Sequence, residues 1–436
     1  MTARRTAFLV VDLGFGDAGK GLLTDYLVRR TGARLVVRFN GGAQAGHNVV
    51  TADGRQHTFS QFGAGTLVPG ARTHLARAVV VHPTALGVEA QRLQSIGESD
   101  VFSRISVDPR CPVTTPFQQA AGRLRELLRG QARHGSCGVG VGETVRDALD
   151  AAELTVQFGQ LTHPAQVRDV LFEQRALKAS QIQALLEGAV SPRIERELAA
   201  LTDPELPDRW LQAAAVVARQ VRCVHDEALG AERESLVFEG AQGVLLDERY
   251  GFHPHTTFSK TTFDGALQVL GDGFDGEITR IGVLRSHAVR HGAGPFPTED
   301  ERVSTRVPEL HNELGPWQAH VRKGWPDLML LDYAVRACGG VDALAITHLD
   351  ALRAFAAYQY CTGYTELGEL RLPESLAEQA QLAQRLFSAR PQYQALDNPS
   401  QPAAAHALCE LFAQRARAPV AFASYGPTAN DVISRT

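Results

Sequence analysis

The first forty residues constrain the fold more than any other stretch. Residues 7–11 form a short β-branched run, and Gly14-Phe-Gly-Asp17-Ala-Gly-Lys20-Gly21 follows it. Residues 22–30 carry a helical pattern that ends near Gly32, and residues 34–39 form a second apolar run. Two parallel strands need a crossover, and a helix is the usual one, so strand–loop–helix–strand predicts a parallel α/β sheet. Short apolar runs at 78–81, 236–238, 281–284, 343–347 and 420–423 read as further buried strands. Between about 116 and 229 apolar residues recur at helical spacing, in QQAAGRLRELLRG and RWLQAAAVVARQVRCVHDEAL, which predicts a helical insertion. Residues 363–410 form a second peripheral region, with a helix in QAQLAQRLF. No repeat or low-complexity linker divides the chain. The expected architecture is one elaborated α/β domain over residues 1–436. It has a large, mostly parallel central sheet, a P-loop-like nucleotide site and helical insertions.

With 436 residues and 44% hydrophobic content, the chain can bury a large core. A net charge of −4 argues against a nucleic-acid backbone as the main partner. Six scattered cysteines with no CxxC pair fit a reducing cytoplasm, without a disulfide frame or structural zinc. The N-terminal apolar run breaks at Asp12, too early for a signal-peptide core, and no run approaches the ~18 apolar residues of a membrane span. The expected setting is cytoplasmic, with no membrane and no nucleic-acid partner. His253, His255 and His287 lack Cys or acidic partners at ligand spacing and read as structural or polar-loop residues.

Five blocks carry chemistry. In the Gly-rich loop, glycines let the backbone wrap an anion and the following helix N-terminus directs N–H groups at it. Lys20 adds a point charge, in a chain with only four lysines. The strict Walker pattern fails because Gly21 replaces the Ser/Thr that would bind Mg²⁺; Asp17 could bind the metal instead. The second block, Asn40-Gly-Gly-Ala-Gln44-Ala-Gly46-His47, follows the second strand, where His47 could stabilise a transferring phosphoryl group. The third is Phe238-Glu-Gly-Ala-Gln242-Gly243, with Gln242 suited to a base edge. Asp247 and the hydroxyl-rich Thr256-Thr257-Phe-Ser-Lys260-Thr-Thr262 follow it. The fourth, Arg290-His-Gly-Ala-Gly-Pro-Phe-Pro-Thr-Glu299, implies a rigid loop. The last pairs Thr347-His-Leu-Asp350 with Ser424-Tyr-Gly426-Pro427; Asp350 could accept both N1–H and N2–H of guanine.

Taken in order, these blocks resemble the adenylosuccinate synthetase family. GDEGKG appears as Gly16-Asp17-Ala18-Gly19-Lys20-Gly21, GGxNAGH as Gly41 to His47, and FEGAQG is intact. GxGPFPTE spans Gly292 to Glu299, TKLD appears as Thr347 to Asp350, and the late GP as Gly426-Pro427. The resemblance implies a homodimer, Mg²⁺, and GTP as phosphoryl donor, with ATP an alternative. It implies that Asp17 takes the N1 proton of IMP, that O6 attacks the γ-phosphate, and that aspartate then displaces the phosphoryl group. It assigns catalysis to Asp17, His47, Lys20 and Gln242, and nucleotide binding to Gly16, Gly19, Gly21, Asp350, Ser424, Gly426 and Pro427. Substrate contacts fall to Gln44, Ser136, Cys137, Thr257, Arg290, His320 and Arg322, and the metal to Asp17 and Gly46.

The departures lie mostly in the substrate-binding blocks. Ala18, Gln44, Ser136-Cys137, His320 and His348 stand where the family has glutamate, asparagine, Thr-Thr, arginine and lysine, and a further family arginine falls near Ala151, where nothing basic stands and Arg146 is the offset substitute. VVDLGFGDAGKGL and GPTANDV are closer to the phage 2-aminoadenylosuccinate synthetases, relatives that act on dGMP. A paralogous ligase for GMP, dGMP or another purine or amino donor is therefore the alternative. A non-catalytic nucleotide-binding regulator is a third reading, disfavoured by Asp17 and His47 together.

Overall fold

The computed structural model describes residues 5–308, 317 and 321–435. Among these, sixteen strands follow one another: β1 (Thr6–Asp12), β2 (Leu35–Arg38), β3 (His47–Val50), β4 (Gln56–Phe59), β5 (Arg72–Leu75), β6 (Ile105–Val107), β7 (Arg222–Cys223), β8 (Leu236–Glu239), β9 (Glu277–Arg285), β10 (Ala288–Arg290), β11 (Arg322–Gly324), β12 (Ala343–Thr347), β13 (Tyr358–Thr365), β14 (Arg390–Leu396), β15 (Val420–Ser424) and β16 (Val432–Ser434). Ten of them form one sheet in the order β16-β15-β12-β9-β1-β8-β2-β5-β6-β7. Its neighbours pair in parallel except β16, which runs antiparallel to β15. The expected mostly parallel α/β sheet is therefore present.

β1 lies between β8 and β9, so the sheet grows outward from it in both directions. Ligand sites in such sheets form where loops leave the carboxyl ends of strands at this reversal. β2, β8 and β12 are buried at every position, which is why they read as unbroken apolar runs. α1 (Lys20–Thr31) is the crossover from β1 to β2 and begins two residues before its apolar pattern does.

Two expectations are corrected. Residues 78–81 form no strand; Val80 and Val81 make only isolated bridges to Gly42 and Val113. The sheet strand is instead Arg-Thr-His-Leu at β5, whose polar side chains hide it from a hydropathy reading. The helix expected to run on through RWLQAAAVVARQVRCVHDEAL stops at Ala218, and β7 follows, adding an edge strand.

The insertion is helical elsewhere, with helices Pro116–Leu128, Val141–Asp150, Pro164–Gln183 and Pro192–Thr202. Phe117, Leu124, Leu171 and Trp210 share one apolar cluster with Leu75, Ile105 and Val107 of the sheet. In the peripheral region, helix Leu376–Phe387 lies between the paired strands β13 and β14, and Leu382 and Leu386 join the main core. No helix among the described residues is long and apolar enough to cross a membrane.

Candidate active site

A cavity of about 380 Å³ opens at the carboxyl ends of the central strands. Asp17, Gly19, Lys20 and Gly21 line it from the loop after β1, and Gly46 and His47 from the approach to β3. Asp350 enters after β12, and Ser424, Gly426 and Pro427 after β15. Residues up to 410 positions apart thus meet at one wall of the sheet. Gln44, Ser136, Cys137, Thr257, Arg290 and Arg322 do not line this cavity, nor does Gly16.

The Gly-rich loop wraps an anion, but the anion is the chain's own. Asp12 Oδ1 accepts the N–H groups of Gly14 at 2.8 Å and Gly16 at 3.3 Å, and Oδ2 accepts that of Ala18 at 2.8 Å. Lys20 Nζ donates to the same Oδ2 at 3.1 Å and to the Gln242 carbonyl at 2.7 Å. A buried carboxylate with three backbone donors and an ammonium is well satisfied. Lys20, expected to point at a ligand, is here 3% exposed and ties the loop to the β8 turn. Gln242 itself has φ 58°, an uncommon region for a residue with a side chain.

Asp17 stands at the apex of this loop with φ 60° and its side chain 27% exposed. His291 Nε2 lies 2.6 Å from Asp17 Oδ2, and Arg285 Nε donates to the Asp17 carbonyl. Burial pushes the Asp17 carboxyl up, but the hydrogen bond to His291 and the charges of His291, Arg285 and Lys20 outweigh it and hold the pKa at about 2. The group is therefore ionised at neutral pH, as a base or a metal ligand must be.

His47 is tied from behind. Its Nδ1 is 2.7 Å from Glu239 Oε1, and Glu239 Oε2 accepts the Ala64 N–H at 3.0 Å. Burial lowers the His47 pKa; Glu239 pulls the other way without reversing it. Glu239 is fully buried yet held below its usual range, because His47, Arg38 and the Ala64 N–H offset the burial. A carboxylate oxygen can only accept, so Nδ1 carries the proton of this bond. Beside it, Gln44 and Gln242 each bury a side-chain oxygen without a hydrogen-bond partner, both close to the Gly41-Gly42 backbone. Such orphan acceptors suit a ligand that brings donors.

At the far wall, Thr347 Oγ1 donates to the Ala18 carbonyl at 2.7 Å and joins β12 to the phosphate loop. His348 lines the cavity and packs edge-on against His287 at 5.7 Å between ring centroids. Both imidazoles are driven well below their ordinary pKa by burial and by Arg285.

The outlying candidates behave differently. Arg290 turns inward, over the Phe15 ring at 4.2 Å, and donates to the carbonyls of Ala293, Pro295 and His255. Burial, with Arg322 nearby, pushes its pKa down to about 9. It is a strut between two loops in this structure, not an open anion receptor. Arg322 donates to Glu299 at 2.8 Å and to the Gly294 carbonyl at 2.7 Å, so it already has a carboxylate partner. The N–H groups of Gly135 and Ser136 donate to Glu126 Oε2, and Cys137 follows in the same turn. Thr257 donates its N–H to the Leu246 carbonyl. His320 lies outside the described residues.

A family model described as adenylosuccinate synthetase matches residues 9–433. The chain belongs to the adenylosuccinate synthetase family. It is accordingly a ligase by kinship. An adenylosuccinate synthetase of Clostridium botulinum (strain Eklund 17B / Type B) is 30% identical over 381 residues, covering 86% of this chain and 85% of that one. One of Neisseria gonorrhoeae (strain ATCC 700825 / FA 1090) is 29% identical over 440 residues, covering 98% and 97%. The fold is also that of fully ligated adenylosuccinate synthetase from Plasmodium falciparum, with TM-score 0.77 and 21% identity over 98% of this chain and 99% of that one. It is likewise that of cyanophage S-2L succinoaminodeoxyadenylate synthetase bound to dGMP and dATP, with TM-score 0.60 and 18% identity over 99% and 95%.

For this adenylosuccinate synthetase relative, the sequence reading missed four partners: Asp12, Glu239, Arg285 and His291. All four end a strand or follow it directly, and Glu239 and His291 lie inside motifs already singled out. A polar residue at the carboxyl end of a buried strand was the available signal.

Proposed function

We propose that this protein is a GTP-dependent ligase that phosphorylates O6 of IMP and joins aspartate to C6, giving adenylosuccinate for purine nucleotide biosynthesis. The observation that carries the reading is the meeting of Asp17, Lys20, His47, Asp350 and the Ser424–Pro427 turn around one cavity. Residues 1–436 act as one elaborated domain in a cytoplasmic homodimer.

Asp17, ionised, takes the N1 proton of the purine, and the electron pair moves to O6. O6 attacks the γ-phosphorus, and its bond to the bridging oxygen breaks to release GDP. Phosphorylation turns a poor leaving oxygen into a good one. The amine of aspartate then adds at C6, loses a proton and expels phosphate. His47, positioned through Nδ1 by Glu239, faces the developing charge with Nε2, takes up a solvent proton there as the incoming phosphate raises its proton affinity, and then donates from it. Gly19 and Gly21 present backbone N–H groups to phosphate, while Gly16 and Lys20 keep the loop in shape. Gln242 would present its side-chain amide to the purine edge, Gln44 would serve the purine phosphate, and Asp350 accepts from the guanine edge. Ser424, Gly426 and Pro427 enclose that base. The Asp17 carboxylate and the Gly46 carbonyl are hard oxygen donors on one cavity wall, which fits Mg²⁺; bound there, the ion would neutralise phosphate charge. Ser136, Cys137, Thr257, Arg322 and His320 would serve the purine phosphate and the amino acid, while Arg290 holds its own loop in shape. Formation of adenylosuccinate from IMP, GTP, aspartate and Mg²⁺, followed by mass spectrometry, tests the assignment. Absence of product at saturating substrates would refute it.

A second reading is a paralogue that takes GMP or dGMP, or another amino donor. It is favoured by Arg322 already paired with Glu299, and by Glu126 on the N–H groups of Gly135 and Ser136. The fold likeness to the cyanophage enzyme bound to dGMP and dATP adds to it. A matrix of purine nucleotides against amino acids separates the two readings, and a clear preference for IMP with aspartate excludes the second.

A further inference from the structure

We infer that His291 is a positioning residue for the reaction: it donates from Nε2 to Asp17 Oδ2 and fixes the carboxylate that must meet the purine. The inference rests on the proposed ligase reading for its catalytic consequence, but the contact itself is independent of the substrate.

The two atoms lie 2.6 Å apart, a short hydrogen bond to a charged acceptor. An ionised carboxylate can only accept, so Nε2 carries the proton. Asp17 needs such a guide. It sits at φ 60° on the apex of a glycine-rich turn, where the backbone alone does not define where the side chain points.

The loop that carries His291 is built to be rigid. β10 pairs with β11 up to Arg290 and Arg322, one residue before the histidine. The Arg290 guanidinium then binds the Ala293 and Pro295 carbonyls and drives the chain into a tight turn. Gly294 has φ 111°, and a Cβ there would fall 2.0 Å from Arg290 Nη2, so the turn closes only on glycine. The same guanidinium lies over Phe15, two residues before Asp17. Arg290 thus sets the distance between the loop of His291 and the loop of Asp17. Asp12 holds the inner side of the phosphate loop while His291 holds its outer tip. The resulting carboxylate lines the cavity beside Lys20 and Arg285.

Two variants of the full-length protein test this. His291→Leu removes the donor, and His291→Gln keeps an N–H at similar reach. With the best substrate pair, His291→Leu should lower kcat about 10- to 100-fold and leave each KM within about twofold, because misplacing a reacting group by an ångström costs on this order. His291→Gln should recover most of the loss. Equal activity of both variants, whether near wild type or equally depressed, would overturn the inference. A proton spectrum gives a readout that survives misfolding of the leucine variant or the absence of any turnover. The wild-type protein should show a downfield imidazole N–H signal that vanishes in His291→Gln and moves upfield in Asp17→Asn. A wild-type spectrum without that signal also overturns the inference. If the signal is present but no purine and amino donor react, the ligase reading fails while the contact stands.

Discussion

At the residue scale, the site is organised by carboxylates that never face solvent. Asp12 is the strongest case, since four donors converge on it and one is the buried ammonium of Lys20. Removing one partner of a buried pair leaves an uncompensated charge, at a cost of about 3–5 kcal/mol. Asp12→Ala should therefore destabilise the protein on that order in urea unfolding, and adding Lys20→Met should recover part of the loss. Gly21 gives a second test. A Cβ there would lie 2.9 Å from the Asn48 carbonyl and 3.0 Å from His47 Cβ. The Ser/Thr missing from the Walker pattern is missing because the first turn of α1 presses on the strand of His47. Gly21→Thr should cost about 1–3 kcal/mol through overpacking and should lower turnover rather than improve metal binding. Calorimetry and steady-state rates on the same preparation check both.

At the element scale, β5 explains why one strand escaped a reading by hydropathy. Thr73 and His74 are buried in mid-sheet because their polar atoms are satisfied locally: Thr73 Oγ1 accepts the Gly63 N–H at 3.0 Å, and His74 bonds Ser106 and Asp226, each at 2.9 Å. A pattern search for apolar runs selects 78–81 instead, which carries the right composition but only bridges neighbouring loops. The prediction at this scale is that His74→Leu, although better suited to a buried strand by hydropathy, destabilises by about 1–3 kcal/mol. It strands the Asp226 carboxylate without its imidazole partner. Denaturant unfolding of that variant beside His74→Asn, which keeps a donor, would measure it.

At the scale of the whole molecule, the site depends on pH through buried imidazoles. His287 and His348 are held well below 6.5 by burial and the Arg285 charge, so they stay neutral in the folded chain and take up protons on unfolding. A depressed folded pKa gives stability that is full above the unfolded value and is lost as pH falls below about 6.5. Asp327 works in the opposite sense, because burial raises it to about 6 and the folded chain keeps a proton that the unfolded chain releases. The His287 contribution is isolated by substitution. His287→Phe should flatten the fall in stability below pH 6.5 by up to about 1.4 kcal/mol per pH unit, read from urea midpoints at several pH values.

The sequence by itself determined the mostly parallel sheet, its strands β1, β2, β8, β9, β12 and β15, and the family. Those depend on local runs, on β–loop–α spacing and on motif order, and all three are properties of neighbouring residues. It also named the cavity's central members, Asp17, Lys20, His47, Asp350 and Gly426. Only the tertiary structure decided what those residues touch. It turned Lys20 onto Asp12, put His291 on Asp17 and Glu239 behind His47, and spent Arg290 on backbone carbonyls. Each of these contacts joins residues that come together only once the strands have taken their places in the sheet or the loops have closed on one another. Spacing along the chain carries no record of that arrangement. The substrate-side departures at Gln44, Cys137 and His348 were legible as differences, but their chemistry is set by what faces them, which the fold supplies.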